Sequence, residues 1–422
     1  MIKNVFLLII FAFTSSFCRS NDELKTRINE ILTRLPANVS AAILIYNPQT
    51  QDTIFSINSD KAMIPASNTK LFTTAAALNL MGANYELSTK LLAAGNIRNG
   101  ILYGDLYIKG YGNSVFSEQD LKEMIRELKG KGIKEIKGNI IGDDSYFDED
   151  YFRDDWINDE TDNVSLPPIS ALVLDRNRMM VREKVRIKHG RRYRTRYENV
   201  FRNITNPPLF AAQILKKDLI STGIRVNGIA DKGIAPEKSV ILSESGILLK
   251  DLIKIINKHS DNFLAECLFK TIGAVYIKKQ GNAFYSTQAV MRFIKDNGIF
   301  SDSTSIVDGS GLSRFDIVTV GAITGVLEKM YFDKRNFNDF LNSLSIAGVD
   351  GTLRYRMIGS SAENHFHGKT GTLNGVSSLS GYLIKSNGND LIVSILFNYK
   401  NYGANFFRGI ENKIVEDLAD LK

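Results

Sequence analysis

The clearest strand signals in this chain lie at its two ends. Ala41 to Tyr46 (AAILIY) is a continuous apolar run closed by the turn NPQTQD, and Thr53 to Ser56 pairs back on it. Near the other end, SLSGYLIK and DLIVSILFNY read as strands joined by SNGN, and Phe406 to Leu421 follows with apolar residues at helical spacing. The two ends therefore carry the parts of one sheet-and-helix domain, and the intervening chain must leave that domain and return to it. The middle has a different texture. Ile101 to Ile108 and Ile136 to Ile141 are short strands around the charged helix DLKEMIRELKGKG, followed by the acidic, aromatic stretch GDDSYFDEDYFRDDW and an amphipathic helix over Ala211 to Thr222. The expected organisation is that sheet-and-helix domain in two segments, 21–91 and 241–422, with an inserted α/β domain over 92–240.

At 422 residues the chain is long enough for two or three units with a large core. It opens with Lys3 and an apolar run from Val5 to Phe13, shorter than the about 20 residues that span a bilayer. That pattern is expected to be an export signal over 1–20, which places the mature protein in the periplasm or cell envelope. A lipid anchor on Cys18 is the alternative, although Phe17 is bulky where lipid attachment wants a small residue. The other cysteine, Cys267, lies in the apolar pattern NFLAECLF and reads as a buried core thiol, so no disulfide or cysteine metal cage is expected.

The net charge of +7 is concentrated: Arg182 to Arg202 holds nine basic and two acidic residues. Lys184, Arg186 and Lys188 alternate with Val185 and Ile187, and Arg192, Arg194 and Arg196 alternate with Tyr193 and Tyr197. Period two on both sides of HGRR predicts a hairpin over 182–197 with one basic face. It is either a solvated face or a docking surface for an anionic cell-wall polymer or membrane. Nucleic acid is not an expected partner, because no nucleic-acid motif accompanies the charge.

One chemical pattern stands out at PASNTKLFTTAAAL, where Ser67 precedes Lys70 by one helical turn. Ser-x-x-Lys occurs once in the chain. HSDNFLAE supplies Ser260-Asp261-Asn262 after an amphipathic helix (Leu248 to Asn257), and HGKTGTLNG supplies the single Lys-Thr-Gly at Lys369 to Gly371. These three signatures in this order resemble those of penicillin-binding proteins and serine β-lactamases. DGSGLSRFDIVT, GNIIGDDSYFD and LPPISALVLDRN resemble segments of the low-molecular-mass class C D-alanyl-D-alanine carboxypeptidase/endopeptidase family, from about Ala41 onward. The 193 positions from Ser67 to Ser260 leave room for an insertion that compact β-lactamases lack. The chain departs from the family at Asp316, where Asn is usual, and at GYGNSVF, which lacks Gly-Asp-Pro. After DRN, where the family carries a second inserted domain, only the basic hairpin stands.

The resemblance implies an α+β fold of the β-lactamase/transpeptidase type, an antiparallel sheet flanked by helices. It implies an exported serine D-alanyl-D-alanine carboxypeptidase, also an endopeptidase, acting on peptidoglycan stem peptides and acylated by β-lactams. Ser67 would be the nucleophile and Lys70 its base, made neutral by burial and by Lys369. Ser67 and Thr372 N–H groups would form the oxyanion hole. Ser260 would relay a proton, Asn262 would hold the substrate amide and orient Lys70, and Lys369 and Thr370 would bind the terminal carboxylate. Gly371 would keep the strand edge clear for substrate. Arg314 and Asp143, with Asp144 beside it, would face the carboxylate and ammonium of the stem-peptide diamino acid. No cofactor is expected. His365 and His367 invite a zinc reading but have no partner motif, so no metal is expected. A Ser-His-Asp triad through His259 lacks a Gly-x-Ser-x-Gly elbow. The open alternatives are a β-lactamase or esterase on the same scaffold, differing in deacylation, and a peptidoglycan-binding module without turnover, for which Lys70 has no use.

Overall fold

The computed structural model describes residues 23–156, 166–190, 192–299, 302–386 and 388–421. The expected export signal and Cys18 lie outside the described residues. Helix α1 covers 23–32, and the hairpin β1 (Ser40–Asn47) and β2 (Asp52–Ile57) follows. A short 3-10 turn, Ala66–Asn68, leads into α2 (Thr69–Met81). The chain then builds β3 (Glu86–Arg98), β4 (Ile101–Tyr111), α3 (Glu118–Gly130), β5 (Glu135–Ile136), β6 (Ile140–Asp143), β7 (Arg178–His189) and β8 (Arg192–Asn203). Next come α4 (Pro207–Ser221), β9 (Arg225–Val226), β10 (Ala230–Lys232) and β11 (Val240–Leu248). Helices α5 (Leu249–His259), α6 (Asn262–Ile277), α7 (Ala283–Asp296), α8 (Val320–Phe332) and α9 (Phe337–Ser343) precede β12 (Ser345–Ile346). The chain closes with β13 (Phe366–Leu373), β14 (Val376–Leu383), β15 (Leu391–Asn398) and α10 (Ala404–Ala419). No described helix is long and apolar enough to cross a membrane.

The first sheet runs β12-β13-β14-β15-β1-β2 with every neighbouring pair antiparallel. It is covered on both faces, which is why its strands read as unbroken apolar runs. On one side Ala42, Tyr382, Ile392 and Leu396 pack with helices α2 and α5 to α8. On the other, Ile43, Ile45, Leu379, Val393 and Ile395 pack with α1 and α10. Alternate residues of one strand thus enter two different cores.

The second sheet is mixed, with the path β10-β6-β4-β3-β11 and with β5 paired to β4 and β9 paired to β5. Its core, with Leu91, Leu106, Ile108 and Ile140 among its members, is closed by Leu121, Ile125 and Leu128 of α3 and by Ala211, Leu215 and Leu219 of α4. Strand β3 pairs along its length with β11, from Glu86 opposite Leu248 to Ala93 opposite Val240. We therefore place the inserted unit at 86–248, because the exit and return strands are partners, in preference to the 92–240 expected from sequence.

Candidate active site

Between Pro65 and Leu78 every residue is buried except Ser67. That single break in a buried run leaves one hydroxyl at the helix start within reach of a substrate, as a nucleophile requires. The turn holding it is strained: Ala66 has φ +50°, a left-handed conformation that costs a residue with a Cβ on the order of 1 kcal/mol or more. Neighbouring elements hold it. Ser378 Oγ on β14 donates to Pro65 O at 2.8 Å, and Asn68 Nδ2 donates to Ser380 Oγ at 2.9 Å.

Lys70 is fully buried. Its Nζ lies 3.0 Å from Ser67 Oγ, 2.7 Å from Asn262 Oδ1 and 2.6 Å from Ser310 O, which occupies all three ammonium protons. Burial lowers its pKa to about 8, opposed by the charges of Asp308, Glu266, Asp261 and Asp316. Lys369 is also fully buried, and its pKa is pushed well down, first by burial and then by Lys70. Its Nζ donates to Ser260 Oγ at 2.8 Å and to Thr370 O at 2.7 Å.

Ser260, Asp261 and Asn262 form the corner between two helices. Ser260 ends α5 in the left-handed region at φ +54°. Asp261 caps α6 by accepting from Leu264 N at 3.0 Å. The corner is braced from the second sheet's side by Arg176, whose Nη2 and Nη1 reach the two oxygens of Asp261 at 3.0 and 2.9 Å. Arg176 sits in a run of three left-handed residues, Asp175 to Asn177. The DRN motif is thus a turn that aims an arginine at the Ser260 corner. Beyond Gly368, β13 has no pairing with β12, so its edge is open alongside Ser67. Ser67, Ser260, Asn262, Thr370 and Thr372 line one cleft of about 700 Å³.

A cleft joining the three signatures, with a buried lysine against a half-exposed serine, has matching relatives. The family model for the D-Ala-D-Ala carboxypeptidase 3 (S13) family matches residues 24–197 and 190–420. The chain belongs to that family. It is a serine peptidase. It is similar to the D-alanyl-D-alanine carboxypeptidase DacB of Haemophilus influenzae, at 27% identity over 86% of each protein. A D-alanyl-D-alanine carboxypeptidase of an Actinomadura species is 26% identical over 89% of this chain and 81% of that protein. The crystal structure of penicillin binding protein 4 from Haemophilus influenzae superposes with a TM-score of 0.79 at 25% identity, over 92% of this chain and 99% of that one.

The geometry bears further on Asp143, on Gly371 and on the two histidines. Asp143 is fully buried: it pairs with Lys109 at 2.8 Å and accepts from Ser145 N and Ala235 N at 2.8 and 2.7 Å. A carboxylate whose oxygens are already filled, with no exposed surface, cannot receive a substrate ammonium. Asp144 is likewise buried against Tyr151 and Ser170. Gly371 has a packing role that the expectation of a clear strand edge did not include. A Cβ there would lie 2.2 Å from Ser378 Oγ, 2.8 Å from Pro65 O and 3.0 Å from Ser67 N, so the glycine lets β13 press against the nucleophile's own turn. His365 and His367 do not share a strand face. His365 precedes β13 in a turn and bonds Glu363 O, while His367 lies on the strand.

Arg314 donates to Asn374 O at 2.9 Å and lines a separate cavity of about 500 Å³ beyond the β13–β14 turn. Asp316, at the position where the family's Asn is usual, is fully buried with Val307 N and Thr69 Oγ1 donating to it. Burial, and then neighbouring Asp308, push its pKa well up. Cys267 is buried, and its thiol is pushed up by burial.

Arg408 and Arg356 of the cleft were not legible in the sequence. Arg356 pairs with buried Glu411 at 2.9 Å, and Ser377 Oγ donates to the same carboxylate, which locks α10 over β14. That places Arg408 Nη2 at 3.1 Å from Thr372 Oγ1. Nothing local to an amphipathic C-terminal helix marks either partner.

Proposed function

We propose that this protein cleaves the D-Ala-D-Ala bond of peptidoglycan stem peptides through an acyl-enzyme on Ser67, and that it cuts D-Ala-containing cross-links by the same chemistry. The observation that carries the reading is Lys70 Nζ bridging Ser67 Oγ and Asn262 Oδ1 in a buried setting. As the neutral amine, Lys70 takes the hydroxyl proton while Ser67 Oγ bonds to the carbonyl carbon of the penultimate D-Ala. The N–H groups of Ser67 and Thr372 receive the developing oxyanion. The proton taken up by Lys70 is relayed through Ser260, held by Lys369, to the departing amine as the C–N bond breaks. Water then hydrolyses the ester and Ser67 regains its proton. Asn262 holds the substrate amide and keeps Lys70 oriented.

The terminal carboxylate is received by Thr370, Lys369 and Arg408. Its charge favours the protonated form of Lys369, offsetting the effect of burial. Arg314 reads the far end of the stem peptide. The chain is exported, in line with the substrate's location. A β-lactam, whose ring amide mimics the scissile bond, acylates the same serine.

The test is intact-mass spectrometry after incubation with penicillin, followed over time on wild type and Ser67→Ala. The expected result is a lasting adduct on wild type that is absent from the variant. No adduct with intact drug would favour the binding module. No adduct with hydrolysed drug would favour a β-lactamase. For Arg408→Ala, a lost charge-assisted hydrogen bond predicts a KM for D-Ala-terminated peptides raised about 10-fold or more, with kcat less affected. An equal effect on a peptide ending in an amide would remove Arg408 from carboxylate binding.

A further inference from the structure

Strands β7 and β8 form a two-stranded sheet of their own, hydrogen-bonded to no other described strand. Twelve residues per strand make a ribbon about 40 Å long. Its base is held by Arg178 Nε on Asn203 Oδ1 and by Asn203 Nδ2 on Leu166 O. The register separates its side chains in a way that alternation along one strand does not reveal. Lys184 pairs with Tyr197, Arg186 with Thr195 and Lys188 with Tyr193, whereas Val185 pairs with Arg196 and Ile187 with Arg194. Directly paired residues share a face, so Arg194 and Arg196 lie on the face opposite Lys184, Arg186 and Lys188, with which they were expected to share one.

The faces then differ in kind. One carries Glu183 and Glu198, and both are spent on arginines: Glu183 on Arg202 at 2.6 Å and Glu198 on Arg196 at 2.6 Å. The other face has no carboxylate. Along β7 it presents Arg182, Lys184, Arg186 and Lys188, and along β8 it presents Tyr193, Tyr197 and Phe201. These three rings are 65%, 58% and 65% exposed. The Arg182 guanidinium lies 5.1 Å over the Tyr197 ring.

We propose that this acid-free face docks on a bilayer surface bearing anionic headgroups. A column of cations answers the headgroup charge, and juxtamembrane basic residues each contribute to such binding. The parallel column of exposed rings suits the headgroup level, where aromatic residues with one polar and one apolar end are enriched. A hydrated anionic polymer would use the cations but leave the rings in water, so the ring column selects the lipid surface. Docking holds the ribbon at the membrane and leaves the Ser67 cleft, on other elements, free for its substrate.

The test is flotation of the full protein with vesicles of equal parts phosphatidylcholine and phosphatidylglycerol, at low and at high salt. Wild type should float with the anionic vesicles at low salt and not with pure phosphatidylcholine. Replacing Lys184, Arg186 and Lys188 together by Gln should weaken binding about 100-fold. Tyr193→Ser with Tyr197→Ser should also weaken it. In Tyr193→Trp, emission should shift to the blue on adding anionic vesicles, relative to wild type with its sole Trp156. Unchanged penicillin acylation in each variant shows that the fold is intact. Absence of flotation at low salt overturns the proposal. So does binding that survives loss of the rings with no emission shift, which would assign the face to an anionic polymer.

Discussion

Lys70→Met should lower kcat/KM for a D-Ala-D-Ala peptide, and the rate of penicillin acylation, roughly 10,000-fold or more, because it removes the amine that bonds Ser67 Oγ and that the proposed mechanism uses as base. Methionine matches the length of the lysine stem and is at home in a buried site, so the melting temperature should hold within a few degrees. In wild type the working form is the neutral amine. With burial lowering the Lys70 pKa to about 8, that form grows as pH rises, so kcat/KM should climb to a plateau with its midpoint near 8. The residual activity of Lys70→Met should lack this limb. The pH–rate profile of both proteins is the measurement, and the same limb persisting in the variant would assign the titration to another group. The buried carboxyl groups behind Lys70 set how far the amine falls. Asp308, Glu266 and Asp316 all oppose the effect of burial.

Gly371→Ala should reduce acylation by penicillin at least 100-fold and also lower the melting temperature. A Cβ at this position meets Pro65 O at 2.8 Å and Ser67 N at 3.0 Å, and backbone atoms cannot swing away as a side-chain tip can. The turn must shift, and a nucleophile displaced by about 1 Å loses on the order of 100-fold in rate. Relief of the 2.2 Å contact by Ser378→Gly should restore the variant only in part, because the Pro65 contact remains and the hydroxyl that holds Pro65 O is lost. Acylation kinetics with a parallel thermal melt decide the matter. If Gly371→Ala melts like wild type and loses only peptide turnover, the glycine serves substrate clearance alone.

The chemistry of the site was legible because it is local. Ser67 and Lys70 are brought together by one turn of helix, and Ser-x-x-Lys occurs once in the chain. The Lys-Thr-Gly tripeptide announces itself by rarity, and the apolar runs at the two ends announce a shared sheet, since a sheet covered on both faces needs strands with no polar side. What pairs across space was not legible. The resemblance makes Asp143 a ligand for a substrate ammonium, yet the fold hands it Lys109 and two backbone amides. The basic residues of the hairpin's two strands alternate alike in sequence, and only cross-strand register assigns Arg194 and Arg196 to the face opposite Lys184, Arg186 and Lys188. Strand β3 begins before the expected insertion because β11, a long way along the chain, supplies its partner.

Periodicity, tripeptide motifs and their order therefore determined the fold class and singled out the candidate reacting groups, because each depends on residues within a few positions of one another. Tertiary structure alone decided which buried charge is already neutralised, why Gly371 has no side chain, and that Arg408 of the last helix reaches Thr372. Each of these is a contact between segments far apart in sequence, and the free energy of such a contact is set by burial and partner geometry, neither of which a residue carries in its own neighbourhood.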